Sequence, residues 1–192
     1  NRGDGANEMG ENLVAVDLGS GRTAKSIVAG GSHTCALLDD NSSKCWGEGE
    51  NGQVGQEKTM DDKVPPTLSI TIGTDRTATA ITAGDAHTCA ILDNSSIKCW
   101  GLNDSGQLGQ GNTINLGDNA NEINPSSKIV DLGVGRTVGG IAAGDDYTCA
   151  VLDNASIKCW GGNAFGQLGL GDDRTRGDES GEMGDSLPVI GL

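Results

Sequence analysis

The chain has 192 residues, of which 32 are glycine and only 3% are aromatic. This composition argues against a helical bundle and favours many short strands joined by tight turns. The net charge of −14 makes the surface repel phosphate backbones, so no nucleic-acid partner is expected. No apolar run reaches the length of about 18 residues that membrane insertion requires. The first residues carry neither an initiator Met nor a signal-peptide pattern, so we expect a processed protein or an excerpt of a longer one.

Three copies of one sequence pattern fill the chain. They align without gaps from an Arg-Thr to a Cys-Trp-Gly, over residues 22–47, 76–101 and 136–161. Each copy continues into a Gly-Gln-(Val/Leu)-Gly turn, at residues 52–55, 106–109 and 166–169. The copies begin 54 and 60 residues apart. Tandem repeats of this kind are typical of solenoids and propellers, in which stacked copies bury a common core.

The two ends of the chain also match each other. Residues 2–18 align with residues 176–192, and residues 115–132 are the middle copy of the same stretch. The chain therefore begins and ends at an arbitrary phase of the repeat, which is typical of a window from a longer periodic array. We predict the end of a preceding repeat followed by three repeats, with boundaries at 1–21, 22–75, 76–135 and 136–192.

Each copy predicts a β-hairpin. In the first copy, residues 27–29 and 34–38 are apolar and partly β-branched, residues 39–43 have turn chemistry, and residues 44–46 return as the next strand. The glycine that recurs at Gly30, Gly84 and Gly144 predicts a close backbone approach or a positive φ. Three residues after each Trp, a positive φ is predicted at Gly49, Asn103 and Asn163.

These motifs resemble the regulator-of-chromosome-condensation repeat family. The shared features are Ala-Gly, then His-Thr, then Ala-Leu with a turn, and finally Trp-Gly and Gly-Gln-Leu-Gly, with small variations between copies. The resemblance implies an all-β fold of tandem four-stranded propeller-type blades. Three blades are too few to close a ring, which takes about four to eight. The chain is therefore expected to be either part of a β-propeller or an open repeat array.

Six cysteines occur as three pairs with a constant spacing of ten residues: Cys35 and Cys45, Cys89 and Cys99, Cys149 and Cys159. Each pair flanks a predicted hairpin turn, which favours three disulfides between adjacent strands. Buried free thiols are the alternative. A zinc site has less support, because the chain has no Cys-x-x-Cys spacing and only two His. Disulfides would place the protein outside the cytosol, either secreted or at the cell surface.

Asparagine glycosylation signals fall in the predicted hairpin turns. The acceptor pattern Asn-x-Ser begins at Asn41, Asn94 and Asn154, each between the two cysteines of a pair. Asn103 begins a fourth signal, although a backbone role is also predicted for it. Ordinary turn composition is the alternative explanation, because Asn and Ser favour turns. We predict N-linked glycans in a eukaryotic host.

No pattern predicts a catalytic residue, a resident metal or a cofactor. His33 and His87 occupy equivalent positions, but the third copy has Tyr147 there, which favours a structural role. One Trp recurs per copy and predicts core or rim packing, at Trp46, Trp100 and Trp160. No nucleophile–base pair recurs, and no glycine loop that could cradle a phosphate leads into a helix. The chain is therefore expected not to be an enzyme.

Two loop motifs have competing interpretations. The acidic stretches at residues 4–8, 118–122 and 178–182 predict solvated loops, with calcium binding as the alternative. Arg-Gly-Asp occurs at residues 2–4 and 176–178 and matches the cell-adhesion tripeptide, although the middle copy has Leu116 in place of Arg. Repetition of the surrounding sequence is the simpler explanation for both motifs.

The leading functional hypothesis is an extracellular scaffold glycoprotein. It would form a fibre, coat or adhesive surface through contacts between copies of itself or neighbouring repeats. The alternative is a secreted propeller that binds another extracellular protein, with the variable loops after Gln56, Gln110 and Leu170 as its contact surface. Similar repeats build a secreted bacterial β-lactamase inhibitor, which supports this alternative. Nucleotide exchange on a small GTPase is a remote alternative, because its cytosolic or nuclear setting conflicts with the cysteine pairs.

Overall fold

The computed structural model describes residues 4–56, 69–70, 72–73, 76–124 and 127–191. Within these ranges the chain forms three antiparallel sheets of three strands each, one sheet per repeat. The strands are β1 (Ala24–Ala29), β2 (His33–Leu38), β3 (Ser43–Gly47), β4 (Ala78–Ala83), β5 (His87–Leu92), β6 (Ile97–Gly101), β7 (Val138–Ala143), β8 (Tyr147–Leu152) and β9 (Ile157–Gly161). No helix in the described part of the chain is long and apolar enough to cross a membrane. The all-β prediction is confirmed.

The hairpin between β2 and β3 shows how the sequence sets the register. Its turn closes through a hydrogen bond from the Leu38 backbone N–H to the Ser42 carbonyl, at 2.9 Å. Asn41 takes a left-handed conformation with φ of 65°, which Asn tolerates better than most residues. This turn places Cys35 directly opposite Cys45. The same pairing recurs in the other two sheets.

The glycine after each Trp ends the third strand of its sheet. Gly47 has a φ of +108°, and a Cβ built on it would lie 2.4 Å from the Ser32 carbonyl oxygen. Only glycine therefore fits the position, and Gly101 and Gly161 repeat the geometry. The positive φ predicted at Gly49, Asn103 and Asn163 is wrong, because the left-handed residue lies two positions earlier.

The blades are three-stranded, and the prediction of four strands per blade is wrong. Among the described residues, the stretch that would form the fourth strand makes one backbone hydrogen bond to the edge of its sheet, from Ile70 to Ser43, from Val130 to Ile97 and from Ile190 to Ile157, each at 2.9 Å. One bond per repeat does not continue a ladder, which needs a series of such bonds. We call residues 69–70 with 72–73, residues 129–133 and residues 188–191 the outer segments.

The core lies between successive sheets. At the junction of the first and second sheets, one buried cluster contains Cys35, Leu37, Ile81, Leu92 and Trp100. A second cluster joins the second and third sheets and includes Cys89, Ile91, Leu108, Leu152 and Trp160. Each sheet therefore buries its faces against neighbouring copies, as expected of a repeat protein.

Candidate binding surface at the inner mouth

The first strands of the three sheets converge, because β1 contacts β4 and β4 contacts β7. The turns that follow these strands line a concavity of about 340 Å³, formed by residues 29–31, 83–85 and 143–145. We call this concavity the inner mouth. Two carboxylates, Asp85 and Asp145, lie exposed on its wall, whereas the first repeat has Gly31 at the same position. The mouth is therefore concave, largely built of backbone, and acidic.

A chain of backbone hydrogen bonds sets the spacing of the turns around the mouth. The Gly31 N–H donates to the Asp85 carbonyl at 3.0 Å, and the Asp85 N–H donates to the Asp145 carbonyl at 3.0 Å. Because each bond joins equivalent residues of successive repeats, the two exposed carboxylates sit at one rotation step from each other. Their separation is thus fixed by the fold rather than by flexible loops.

A close approach beneath the mouth explains the recurring Ala-Gly. A Cβ built on Gly30 would lie 2.3 Å from Cε1 of the His33 ring and 2.4 Å from the Gly84 carbonyl oxygen. Gly84 meets the His87 ring and the Gly144 carbonyl in the same way. The predicted close approach at these glycines is confirmed, and it explains why no larger residue fits.

A buried hydrogen-bond network connects the first and second sheets. The Thr88 hydroxyl and the Trp100 indole N–H both donate to the Gln53 carbonyl oxygen, at 2.9 and 3.0 Å. His33 Nε2 lies 2.8 Å from the Thr88 hydroxyl oxygen. Because the single hydroxyl proton of Thr88 goes to Gln53, His33 Nε2 must be the donor. The Nδ1 atom of the same ring has no hydrogen-bond partner among the described residues, as expected for a neutral ring that carries its proton on Nε2.

The second junction repeats the network. His87 Nε2 lies 2.9 Å from the Thr148 hydroxyl, and Thr148 and Trp160 both donate to the Gln107 carbonyl. Burial, together with the smaller effect of the nearby His33, lowers the pKa of His87 to about 4. Burial also lowers the pKa of His33. The two His are thus structural, and both are neutral at physiological pH.

A buried lysine in the second sheet and one in the third donate to backbone carbonyls that lie outside their own sheet. The Lys158 ammonium donates to the Leu132 carbonyl at 3.0 Å and to the Gly184 carbonyl at 2.7 Å, and so ties the third sheet to the outer segment of the second. Lys98 donates to the Asn124 carbonyl at 2.8 Å. Burial lowers the pKa of both amines. Sequence reasoning did not identify these lysines, although a Lys before every second Cys is visible as Lys44, Lys98 and Lys158.

The cysteine pairs form the three predicted disulfides, Cys35–Cys45, Cys89–Cys99 and Cys149–Cys159, with Cα–Cα distances of 4.0 to 4.1 Å. The sulfur atoms of the first two lie in the buried clusters between sheets. Each of these two bridges therefore holds its hairpin together at the surface that packs on the next sheet.

The four glycosylation signals fall into three structural settings. Asn94 and Asn154 are exposed at equivalent turn positions, where the side-chain oxygen accepts from the Ser hydroxyl two residues later at 2.7 Å. Asn41 lies one position later in its turn, and Lys25 donates to its side-chain oxygen. Asn103 is fully buried and donates to the carbonyls of Asn112 and Ile114. The fold leaves no room for a glycan on this side chain, so Asn103 is not proposed as a glycosylation site.

The two loop motifs serve the structure of their own repeat. The Arg176 guanidinium pairs with Asp172 at 2.8 Å, and its side chain is only 15% exposed, so the tripeptide at residues 176–178 does not present a free Arg. The Glu182 carboxylate accepts from the Gly177 and Glu179 N–H groups. Within the described ranges, no group of three or more His, Cys, Asp or Glu is placed to hold a metal ion.

Comparison with known families gives one consistent result. The model of the regulator of chromosome condensation (RCC1) repeat matches residues 45–91 and 99–151, and a second model of the same repeat matches residues 24–53, 78–107 and 140–167. Together these matches span all three sheets.

Individual relatives share this repeat. The ultraviolet-B receptor UVR8 of Arabidopsis thaliana is 34% identical over 166 residues, 85% of this chain and 36% of the receptor. The human E3 ubiquitin-protein ligase HERC2 is 34% identical over 149 residues, 76% of this chain but 3% of the ligase. The chain thus spans about a third or less of these relatives.

Solved structures show the same fold. Human WBSCR16 superimposes with a TM-score of 0.68 at 20% identity, covering 92% of this chain and 42% of WBSCR16. Prp20p of Saccharomyces cerevisiae gives a TM-score of 0.62 at 20% identity, covering 88% of this chain and 38% of Prp20p.

Proposed function

Because this chain belongs to the regulator of chromosome condensation (RCC1) repeat family, we propose that it is an extracellular protein-binding module whose inner mouth receives a basic segment of its partner. The acidic concavity around Asp85 and Asp145 carries this proposal. The fold already supports protein binding in a structural neighbour, since Prp20p binds Gsp1p and histones. The ligase activity of HERC2 is not carried over, because the chain covers 3% of that protein.

Charge supports a basic partner. The chain carries 27 acidic and 13 basic residues, so the electrostatic field around the protein attracts cationic partners. The arginines near the hairpin turns are already paired, Arg22 with Asp40 and Arg76 with Asp93. Asp85 and Asp145 lie on the concave wall instead, where a partner loses water on several sides at once. Such a position strengthens each ionic contact with a Lys or Arg.

The disulfides support the proposed extracellular location. All six cysteines are bridged, and such bonds persist in oxidising environments rather than in the cytosol. Each bridge is expected to contribute about 2–4 kcal/mol to stability. We propose N-linked glycans at Asn94 and Asn154, whose side chains are exposed at the hairpin turns. These turns lie at the opposite end of the strands from the inner mouth, so glycans there leave the mouth open.

A titration with a Lys/Arg-rich peptide tests the binding site. The chain is produced through an oxidising secretory route, and intact mass before and after reduction verifies three disulfides. Isothermal titration calorimetry then measures peptide affinity of the wild type and of the Asp85→Asn/Asp145→Asn variant. We expect the variant to bind about tenfold more weakly or worse, since two partly desolvated ionic contacts are lost.

The matched control is Asp39→Asn/Asp153→Asn, which removes the same charge near the hairpin turns. Equal weakening by both variants would show that only net charge matters and would reject the mouth as the binding site. A Glu-rich peptide of the same length that bound as well as the basic one would reject the basic partner.

A scaffold built by self-association is the second candidate. One observation favours it specifically. Ile27 of the first sheet is 65% exposed and Val151 of the third is 43% exposed, whereas their repeat equivalents Ile81 and Ile91 are 7% and 6% exposed. Association that depends on concentration, measured by sedimentation velocity, would support this candidate, and a monomer at every concentration would count against it.

A further inference from the structure

A second cavity lies beside the first hairpin turn, at the opposite end of the strands from the inner mouth. It has a volume of about 260 Å³ and is lined by residues 40–43 of the turn, by residues 70, 72 and 73 of the outer segment, and by residues 76–77 just before β4. We call this cavity the turn cleft. Its walls come from the first and second repeats, so it belongs to an internal junction of the chain.

One residue that lines the turn cleft differs from its equivalents in the other repeats. Ser43 lines the cleft, whereas the equivalent positions hold Ile97 and Ile157. Ile97 is 1% exposed and packs with Val130 and Leu132 in the cluster between the second and third sheets. Because Ser is smaller than Ile, the first repeat has open space where the second has a packed side chain.

Neighbouring side chains do not refill this space. Ala78 is much smaller than its equivalent Val138, whereas Ile70 is only slightly larger than its equivalent Val130. The described residues of the first junction therefore supply fewer carbon atoms at this place than those of the second. A void of this kind costs stability, because the atoms that line it lose their packing contacts.

The Ser43 hydroxyl is a buried polar group that lacks a partner. Ser43 is 1% exposed, and its Oγ makes no hydrogen bond within the described part of the chain. Such a hydroxyl costs free energy that a bound ligand would recover. Water alone fills the cleft poorly, because an ordered water needs about two to four polar partners and the buried Ile70 and Ile72 offer apolar side chains.

The charged groups around the turn cleft are already paired. Asp40 forms an ion pair with Arg22 at 2.6 Å and accepts from the Ser42 hydroxyl, also at 2.6 Å. Arg76 pairs with Asp93 at 3.1 Å. A charged ligand would lose its water without finding an unpaired counterion, which is unfavourable. The cleft therefore favours an uncharged ligand.

We propose that the turn cleft binds a small uncharged molecule that has a branched aliphatic body and one hydrogen-bonding group, such as an alcohol or a primary amide. The aliphatic body lies against Ile70 and Ile72 and replaces the carbon atoms that Ile97 supplies in the second repeat. The polar group pairs with the Ser43 hydroxyl, which can rotate to donate or accept. The space is sufficient, since an apolar protein cavity of about 150 Å³ accommodates benzene. This site is separate from the inner mouth and does not rest on peptide binding there.

Isobutyramide is the probe that tests the cleft, because it combines the branched body with one uncharged amide. A two-dimensional NMR titration of the disulfide-bonded chain measures both its affinity and its position. We expect shifts of the backbone amides of Ser43, Ile70 and Ile72, with a Kd in the millimolar range that is usual for so small a ligand. Isobutyrate and isobutylamine have nearly the same shape but carry a charge, so they should bind about tenfold more weakly or worse.

Substitutions at Ser43 separate the space from the hydroxyl. Ser43→Ile fills the cleft as Ile97 does, so probe binding should be lost and the thermal unfolding midpoint should rise by about 2–8 °C. Ser43→Ala keeps the space but removes the hydrogen bond, and should weaken probe binding about fivefold or more. Ser20→Ile is the matched control, because it adds the same side chain at an exposed turn where the second repeat has Val134. It should leave probe binding unchanged.

The proposal is overturned by a wild type without shifts at these residues, by probe binding that survives Ser43→Ile or is unchanged in Ser43→Ala, or by isobutyrate that binds as well as the amide. A lower midpoint for Ser43→Ile would also overturn it, since the cleft would then not be the space that Ile97 fills. The variant Asp85→Asn/Asp145→Asn should bind the probe like the wild type, so the turn cleft and the inner mouth can fail separately.

Discussion

Residues 4–18 and residues 176–191 repeat one sequence pattern at opposite ends of the chain, but only the second is packed. Leu13 is 45% exposed, whereas its equivalent Leu187 is 1% exposed. Met9 is 58% exposed, whereas Met183 packs against the cluster between the second and third sheets. The difference cannot come from the local sequence, which is nearly the same. Among the described residues, a hairpin and a preceding sheet lie beside the C-terminal segment alone, and this accounts for the difference.

The backbone of the two segments is nevertheless alike. Each forms a short 3-10 turn, Gly10–Asn12 and Gly184–Ser186, closed by an N–H of the following Leu that bonds back to the Gly carbonyl. Local chemistry therefore determines the conformation, and tertiary contacts determine the burial. In a repeat protein these two contributions are separable, because the same segment occurs with and without its neighbours.

The largest difference is expected for the paired leucines. Leu187→Ala should lower the free energy of unfolding by about 2–5 kcal/mol, because it leaves a cavity in the cluster between sheets. Leu13→Ala should change it by less than about 0.5 kcal/mol, because the side chain is already half in water. Equilibrium urea unfolding measures both. Equal losses would mean that the N-terminal segment is packed as well.

Acidification should weaken the junction against which the C-terminal segment packs. The folded-state pKa of His87, about 4, lies below its unfolded value of 6.5, so the unfolded chain binds the proton first. The stabilisation is complete above pH 6.5 and is lost as the pH falls to about 4, by up to about 3 kcal/mol. Urea unfolding as a function of pH measures this loss. The variant His87→Gln keeps a donor for Thr148 but does not titrate. In this variant, the free energy of unfolding should depend less steeply on pH between 6.5 and 4.

A smaller difference is expected for the glycines that begin the 3-10 turns. Gly10 and Gly184 have φ values of 69° and 70°, so Ala at either position costs about 1–2 kcal/mol of backbone strain. A Cβ on Gly184 would also lie 2.7 Å from the Asp131 carboxylate, whereas a Cβ on Gly10 meets nothing within 4 Å. Thermal unfolding should therefore show Gly184→Ala as the more destabilising change. The reverse order would contradict the packing of this turn on the second repeat.

The smallest difference is expected for the acidic residue inside each segment. The Glu182 carboxylate accepts two backbone N–H groups, so Glu182→Ala should cost about 1–2 kcal/mol. In the N-terminal copy, the bond from the Gly5 N–H to Glu8 is exposed to water, whereas the bond from Gly177 to Glu182 is partly buried, so Glu8→Ala should cost less than about 0.5 kcal/mol. Urea midpoints for the two variants, compared at one pH, separate these values.

Local patterns in the sequence predicted the hairpins and the disulfides correctly. The turn chemistry at residues 39–43 and the constant cysteine spacing are properties of one repeat, and they fix the register that places Cys35 opposite Cys45. The number of strands was not predictable in this way. Outer segments such as that around Ile190 make a single bond to the neighbouring strand, and Pro188 removes one backbone donor there.

The contacts between sheets were the least visible in the sequence. Thr88, Gln53 and Trp100 meet at one carbonyl, although they lie in different repeats and at unrelated spacings. Their recurrence in every copy was the available signal, but recurrence alone does not say which copies touch. Asn103 shows the same limit, because its glycosylation signal is visible in the sequence, whereas its burial depends on the loop that folds over it.

The placement of the disulfides within each hairpin has a mechanical consequence. Every bridge joins two residues separated by ten positions in one sheet, and no bridge joins two sheets. A chain pulled from its ends would therefore lose its sheet-to-sheet contacts while each bridged loop stayed closed, withholding about 30 Å of extension per repeat. Adding a reductant during single-molecule stretching should release that hidden length in three equal steps.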